Sequence, residues 1–116
     1  MTQPMLPAVR TVRTRNDLTP QQLRFLEAVQ RLHFGVIRNL VIRGGQPYFD
    51  DVTEVLRLQK LGVEAPRYVP ETGNFLLKAK FVQILLAFAQ IGEGRITEIE
   101  VRDGLPQHYV AKEQLG

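Results

Sequence analysis

An internal repeat constrains this chain more than any other feature of its sequence. Gly35-Val36-Ile37-Arg38-Asn39-Leu40-Val41-Ile42-Arg43-Gly44-Gly45-Gln46-Pro47 aligns without a gap on Gly94-Arg95-Ile96-Thr97-Glu98-Ile99-Glu100-Val101-Arg102-Asp103-Gly104-Leu105-Pro106, an offset of 59 residues. Gly, Ile, Arg, Gly and Pro coincide, and Leu40/Ile99 and Ile42/Val101 are conservative matches. Carried upstream, the offset pairs Leu23 with Val82, Phe25 with Ile84, Leu26 with Leu85, Val29 with Phe88 and Leu32 with Ile91. A helix followed by a hairpin is therefore expected twice.

Thr19-Pro20-Gln21-Gln22 spells a helix start. Thr19 can accept from an N3 amide, Pro20 stands where a missing N–H costs nothing, and Gln22 can reach back as the capping-box partner, with Leu18 and Leu23 as a staple. Leu23, Leu26, Val29 and Leu32, beside Phe25 and Ala28, then form one apolar stripe. The second helix is expected from Asn74 as N-cap, and its run from Phe75 to Ala89 is apolar around most of its circumference. Such a helix either lies between its sheet and another part of the chain or packs on a second subunit.

Gly44-Gly45 and Asp103-Gly104 are two-residue turn centres that tolerate the positive φ of type I′ turns. Ile37 and Ile96 fall on the opposite parity from Leu40/Ile42 and Ile99/Val101, so a bulge near Arg38/Thr97, or a strand that begins after it, is expected. Pro47 and Pro106 cannot donate to a further strand, which makes the second strand of each hairpin a sheet edge. Residues 50 to 73 have no counterpart in the repeat. Within them 52 to 61 fits either a helix or a strand, the strand being the reading adopted, and Gly62 to Gly73 reads as an irregular connection.

The fold expected is α+β, a duplicated helix–hairpin αββαββ domain with an antiparallel sheet of at least four strands and both helices on one face. One helix and one hairpin cannot bury a core alone, which suggests a fused pseudo-dimer. Residues 1–16 read as a flexible basic arm, and 17–116 as one domain of two repeats, about 18–50 and 74–112, joined by 51–73.

Charge locates one candidate surface. Arg10, Arg13 and Arg15 account for the whole net charge of +3, because residues 17 to 116 hold twelve basic and twelve acidic side chains. A neutral body argues against a broad basic face despite a pI near 9.6. Nucleic acid, as a partner, would be met by that arm, with Arg38 and Arg43 of the first hairpin as further contacts. The plainer reading of the hairpin arginines is that they lie across apolar sheet edges and blunt them.

No catalytic constellation emerges. There is no cysteine, and the two histidines, His33 and His108, stand in no cluster at metal-ligand spacing. Asp50, Asp51 and Glu54 lack the regular donor spacing of a calcium loop. Gly44-Gly45 joins two strands and precedes no helix, so it is no phosphate loop. No cofactor, metal or membrane partner is expected. The first fifteen residues lack the apolar run of a secretory signal, and a cytoplasmic location is expected.

The stretch Phe25-Leu26-Glu27-Ala28-Val29-Gln30-Arg31-Leu32-His33-Phe34-Gly35, with its following hairpin, resembles the YezD-like small proteins of bacteria. The resemblance covers roughly residues 22 to 50; in the second repeat Gly92-Glu93-Gly94 replaces the aromatic-Gly step. It implies a helix–hairpin unit and carries no activity. The function expected is a non-enzymatic binding or structural module acting through protein contacts, as an oligomer or accessory subunit. Val41, apolar where the second repeat has Glu100, and Phe75, Phe81 and Phe88 of the second helix are the candidate interface residues. The alternative is a small nucleic-acid-binding protein using the arginine arm.

Overall fold

The computed structural model describes residues 12–64 and 67–112. A 3-10 turn (Arg15–Asp17) leads into α1 (Pro20–Leu32), followed by β1 (Gly35–Arg43), β2 (Gln46–Tyr48), β3 (Glu54–Arg57), α2 (Ala79–Ile91), β4 (Gly94–Arg102) and β5 (Leu105–Ala111). The class is α+β: two helices and one antiparallel sheet of five strands.

Local chemistry explains most of these boundaries. Thr19 caps α1 as its sequence dictates, its hydroxyl accepting from the Gln22 N–H at 3.1 Å while Gln22 Oε1 accepts from the Thr19 N–H at 3.0 Å. Gly44, Gly45, Asp103 and Gly104 all take positive φ, as type I′ turns require. Of residues 52–61, Glu54–Arg57 form a strand, β3, which pairs with the first half of β1. Strand order is β2-β1-β4-β5, and β3 takes the length of the β1 edge that β2 leaves. Pro47 and Pro106 therefore lie in the outer strands β2 and β5, with β1 and β4 inside.

The central β1–β4 ladder runs from Gly35 opposite Val101 to Ile42 opposite Gly94. Ile37, Leu40, Ile42, Ile96, Ile99 and Val101 all join one core with Phe25, Leu26, Val29 and Leu32 of α1 and Phe81, Ile84, Leu85 and Phe88 of α2. Both helices consequently cover one face of the sheet. The parity change between Ile37 and Leu40 coincides with Asn39 at φ +59, and that between Ile96 and Ile99 with a register shift against β5. A left-handed residue in β1 and a bulge in β4 keep the apolar side chains on the helix face despite their three-residue spacing.

The helix ends interlock with the opposite hairpins. The Gly45 N–H donates to the Gly92 carbonyl and the Gly104 N–H to the His33 carbonyl, both at 2.9 Å. Each turn thus satisfies a carbonyl at the C-terminal end of the helix that belongs to the other hairpin.

Two sequence expectations need correction. The second helix does not begin at Phe75: α2 starts at Ala79, with Lys78 as an N-cap that makes no side-chain hydrogen bond. Phe75 to Leu77 run extended beside residues 13–15, with the Arg15 N–H donating to the Phe75 carbonyl at 3.0 Å and the Leu77 N–H to the Arg13 carbonyl at 2.8 Å. Asn74 is used there too, its Oδ1 accepting from the Asn16 N–H at 3.0 Å. Of the segment read as an arm, Val12 to Asn16 are thereby tied to the body, and the remainder lies outside the described residues. Second, α2 is buried along one stripe, Phe81, Ile84, Leu85 and Phe88, while Leu86 is 47% exposed. Its continuous hydropathy overstates how much of it is covered.

Candidate functional site

The connection between β3 and α2 folds back against the C-terminal end of α1. Three contacts fix it there. Arg57 lies opposite Gly35, whose missing side chain leaves room on the helix face of the sheet, and its guanidinium donates to the Leu32 carbonyl at 3.1 Å and the Arg31 carbonyl at 3.2 Å. A cation at this position suits the negative end of the helix dipole. Tyr68 stacks on the His33 ring with centroids 3.6 Å apart and planes 8° off parallel. The Glu71 N–H donates to Gln30 Oε1 at 3.1 Å.

His33 itself is held in an uncommon conformation. It is the centre of a γ-turn with φ 63° and ψ −54°, and the Phe34 N–H donates to the Leu32 carbonyl at 2.7 Å. Such a turn is strained for a residue with a Cβ, at about 1–3 kcal/mol. The same turn ends α2, but there its centre is Gly92, at φ 73° and ψ −66°. Stacking on Tyr68 and edge contact with Phe34 at 4.7 Å hold the histidine ring in place.

Two clefts open on either side of the Tyr68–Val69 wall. One, about 360 Å³, is bounded by His33, Gln30, Glu71, Lys78, Asp103 and the ring of Phe81. The other, about 540 Å³, is lined by Arg31, Arg57 and Arg67 together with Gln59, Tyr68 and Pro70. Among the described residues the second lining contains no carboxylate, and none of its three arginines forms an ion pair.

The outer face of the sheet is electrostatically different, because its carboxylates are matched by arginines. Arg38 pairs with Glu98 at 3.3 Å and Arg102 with Glu100 at 3.2 Å, and His108 lies 3.8 Å from Glu100. Arg95, directly across from Val41, pairs with Asp50 at 2.6 Å and also donates to the Asn39 carbonyl at 3.0 Å. The Arg95 hydrogen bond, helped by the Val52 N–H and the Thr53 hydroxyl, holds the Asp50 carboxyl down to about 2, and Asp50 raises the Arg95 guanidinium in return. Asp17 is lowered as well, chiefly by the backbone N–H groups of Thr14 and Arg13.

The residues singled out from sequence are not brought together. Arg10 lies outside the described residues; Arg13 and Arg15 flank the extended Phe75–Leu77 segment, Arg38 sits in mid-sheet, and Arg43 stands beside the first turn. Arg15 pairs with Glu27 at 3.6 Å, and Arg38 lies between Glu98 and Glu54 on its neighbouring strands. The candidate interface residues fare similarly. Val41 is 6% exposed, Phe81 and Phe88 are fully buried in the core, and Phe75 packs partly against it. These side chains are used inside the chain. Val41 is covered because the long Arg95 stem begins opposite it and reaches across β1 to Asp50.

Sequence reasoning missed Arg31, Arg57, Arg67 and Tyr68. They come from α1, β3 and the connection, so only the fold-back of that connection makes them neighbours. Among the described residues no cluster of three or more His, Asp or Glu could hold a metal ion, and no helix is long and apolar enough to cross a membrane. Comparison with protein-family models, with characterised proteins and with solved structures finds no match to this chain.

Proposed function

We propose that this protein is a non-enzymatic binding module, built from two fused YezD-like helix–hairpin units, that acts in the cytoplasm by self-association. The observation that carries the reading is the distribution of exposed apolar side chains. Among the described residues, seven of the twelve large exposed hydrophobics fall between residues 52 and 69: Val52, Val55, Leu56, Leu58, Leu61, Val63 and Val69. Leu58 is 74% and Leu61 90% exposed. A segment that adds so little to its own core yet stays apolar is expected to find cover elsewhere.

The backbone supports the same surface. The Leu58 N–H donates to the Phe34 carbonyl, so alternation turns the N–H and C=O of Val55 and Arg57 away from β1. An open edge flanked by apolar side chains is what a strand of a second copy could extend. The duplication is supported by the gapless sequence offset and by the reciprocal Gly45–Gly92 and Gly104–His33 hydrogen bonds. The non-enzymatic reading is supported by the use of His33 in stacking and of His108 beside a single carboxylate on an exposed edge. For the alternative of nucleic-acid binding through the arm, Arg15 and Arg38 are already engaged by Glu27 and Glu98.

Light scattering behind size exclusion tests the proposal. The wild type is expected to be a dimer at micromolar concentration, and the double substitution Leu58→Ser, Leu61→Ser to weaken association by about tenfold or more while leaving the far-UV spectrum unchanged. A monodisperse wild-type monomer that carries no co-purifying protein would overturn it.

A further inference from the structure

We infer that the cleft between α1 and the β3–α2 connection is a binding site for a small phosphate ester, with Arg31, Arg57 and Arg67 as its anion-holding side chains. Three cations line one concave surface of about 540 Å³, and the described lining has no carboxylate to neutralise them. Elsewhere Arg15, Arg38, Arg95 and Arg102 each have a carboxylate within 3.6 Å. Among the described residues Arg13, Arg24 and Arg43 also lie outside any ion pair, but they line neither cleft and so are not gathered there with other cations. Like charges gathered without counter-charge repel, and the arrangement is relieved by an anion that bridges them.

Geometry favours a multiply charged oxyanion over a single carboxylate. Arg57 is oriented before any ligand arrives, because its Nη1 and Nη2 are already bound to the Leu32 and Arg31 carbonyls. Two of its five N–H groups are used there, which leaves three for a ligand at little further ordering cost. Arg31 and Arg67 are exposed and approach from the helix and from the connection. A tetrahedral phosphate offers enough acceptor oxygens to engage planar forks from different directions, whereas one carboxylate satisfies one fork. Gln59 adds neutral hydrogen-bonding capacity at the rim, and Tyr68 adds an aromatic wall whose ring His33 braces. An ester bearing an apolar or planar group beside its phosphate therefore fits better than the inorganic ion.

The site differs from a nucleic-acid track. A strand needs a run of positive charge, and the flanking surface from Leu58 to Val63 carries one cation, Lys60, and is otherwise uncharged.

Isothermal titration with inorganic phosphate, pyrophosphate, a nucleoside 5′-monophosphate and a single-stranded oligonucleotide lacking terminal phosphates tests the assignment. Saturable one-to-one binding of the monophosphate, tighter than inorganic phosphate and weakened about tenfold by each of Arg31→Gln and Arg67→Gln, is the expected result. Arg43→Gln, remote at the first turn, is expected to leave binding unchanged. Arg57→Gln also removes a helix-end contact, so the two exposed arginines carry the test and Arg57 is read only if the variant keeps its melting temperature. The inference is overturned by no saturable binding of any small phosphate at millimolar concentration, by binding indifferent to Arg31→Gln and Arg67→Gln, or by binding of the oligonucleotide alone.

Discussion

The ends of the two helices solve one problem with different residues. α1 and α2 each finish in a γ-turn, and each final carbonyl receives the N–H of the opposite hairpin's glycine at 2.9 Å. At α2 the turn centre is Gly92, with nothing within 4 Å of where a Cβ would stand. At α1 it is His33, strained but stacked on Tyr68 and packed against Gly104. The difference follows the β2–α2 connection: residues 51–73 fold back on α1 and β1, adding β3, Tyr68 and the arginine cleft there. A geometry met by glycine in one half carries a side chain in the other because a partner is present to hold it. Where the two helix ends differ is thus where the arginine cleft lies.

The sharpest way to break this comparison uses Gly35 and Gly94, which share a φ of +155°. A Cβ on Gly35 would fall on the Leu56 carbonyl oxygen of β3 and close to Leu32 Cδ1, whereas on Gly94 its nearest neighbour is Ile91 Cγ2 at 3.6 Å. Gly35→Ala is expected to cost about 3 kcal/mol or more, combining backbone strain with displacement of β3, and Gly94→Ala about 1 kcal/mol from strain alone. Urea midpoints at constant slope would measure both. Equal losses would mean that β3 does not constrain the first half as described.

Legibility from sequence followed the same division. The α1 cap, both type I′ turns, the inner placement of β1 and β4 and the irregularity in each depend on contacts a few residues apart or on parity, and were readable. Phe75–Leu77 misled because an extended apolar segment paired to residues 13–15 has the composition of a helix start; the partner that distinguishes them lies sixty residues away. Val41 misled in another way. Its apolar character reflects cover by the Arg95 stem from the neighbouring strand, which no local pattern reveals. The arginine cleft was illegible for the same reason, since Arg31, Arg57 and Arg67 meet only after the connection folds.

A smaller contrast lies at the helix starts. Thr19 caps α1, and its hydroxyl also donates to Gln46 Oε1 of β2, while Lys78 offers α2 no side-chain acceptor. Thr19→Ala is expected to lower stability by about 1 kcal/mol, and Lys78→Ser to raise it by about 0.5 kcal/mol by supplying an acceptor for the Lys80 or Phe81 amide. Lys78 has an extended backbone, φ −75° and ψ 152°, which already suits a cap. Thermal denaturation of the two variants would show opposite shifts; a loss in both would mean that the lysine stem matters more than the missing cap.

The last contrast concerns how the connection is pinned on the outer face. Asp50, just before residues 51–73, is held by Arg95 of β4, whereas the positions related by the 59-residue sequence offset are Tyr109 and Val36, which cannot form such a pair. Because the folded carboxyl sits near 2, below its ordinary 3.8, its contribution to stability is complete above the ordinary value and is lost as pH falls from there through about 2. Arg95→Gln removes the largest cause of that depression and leaves the Val52 N–H and the Thr53 hydroxyl. The Asp50 carboxyl is then expected to titrate closer to its ordinary value, which side-chain NMR would follow directly. The acid-labile window should narrow with it, by a modest amount because the pair is open to solvent. Arg95→Gln should also uncover Val41, so added exposure of that residue would accompany the shift. An Asp50 titration unchanged in Arg95→Gln would assign the depression to the turn's own donors.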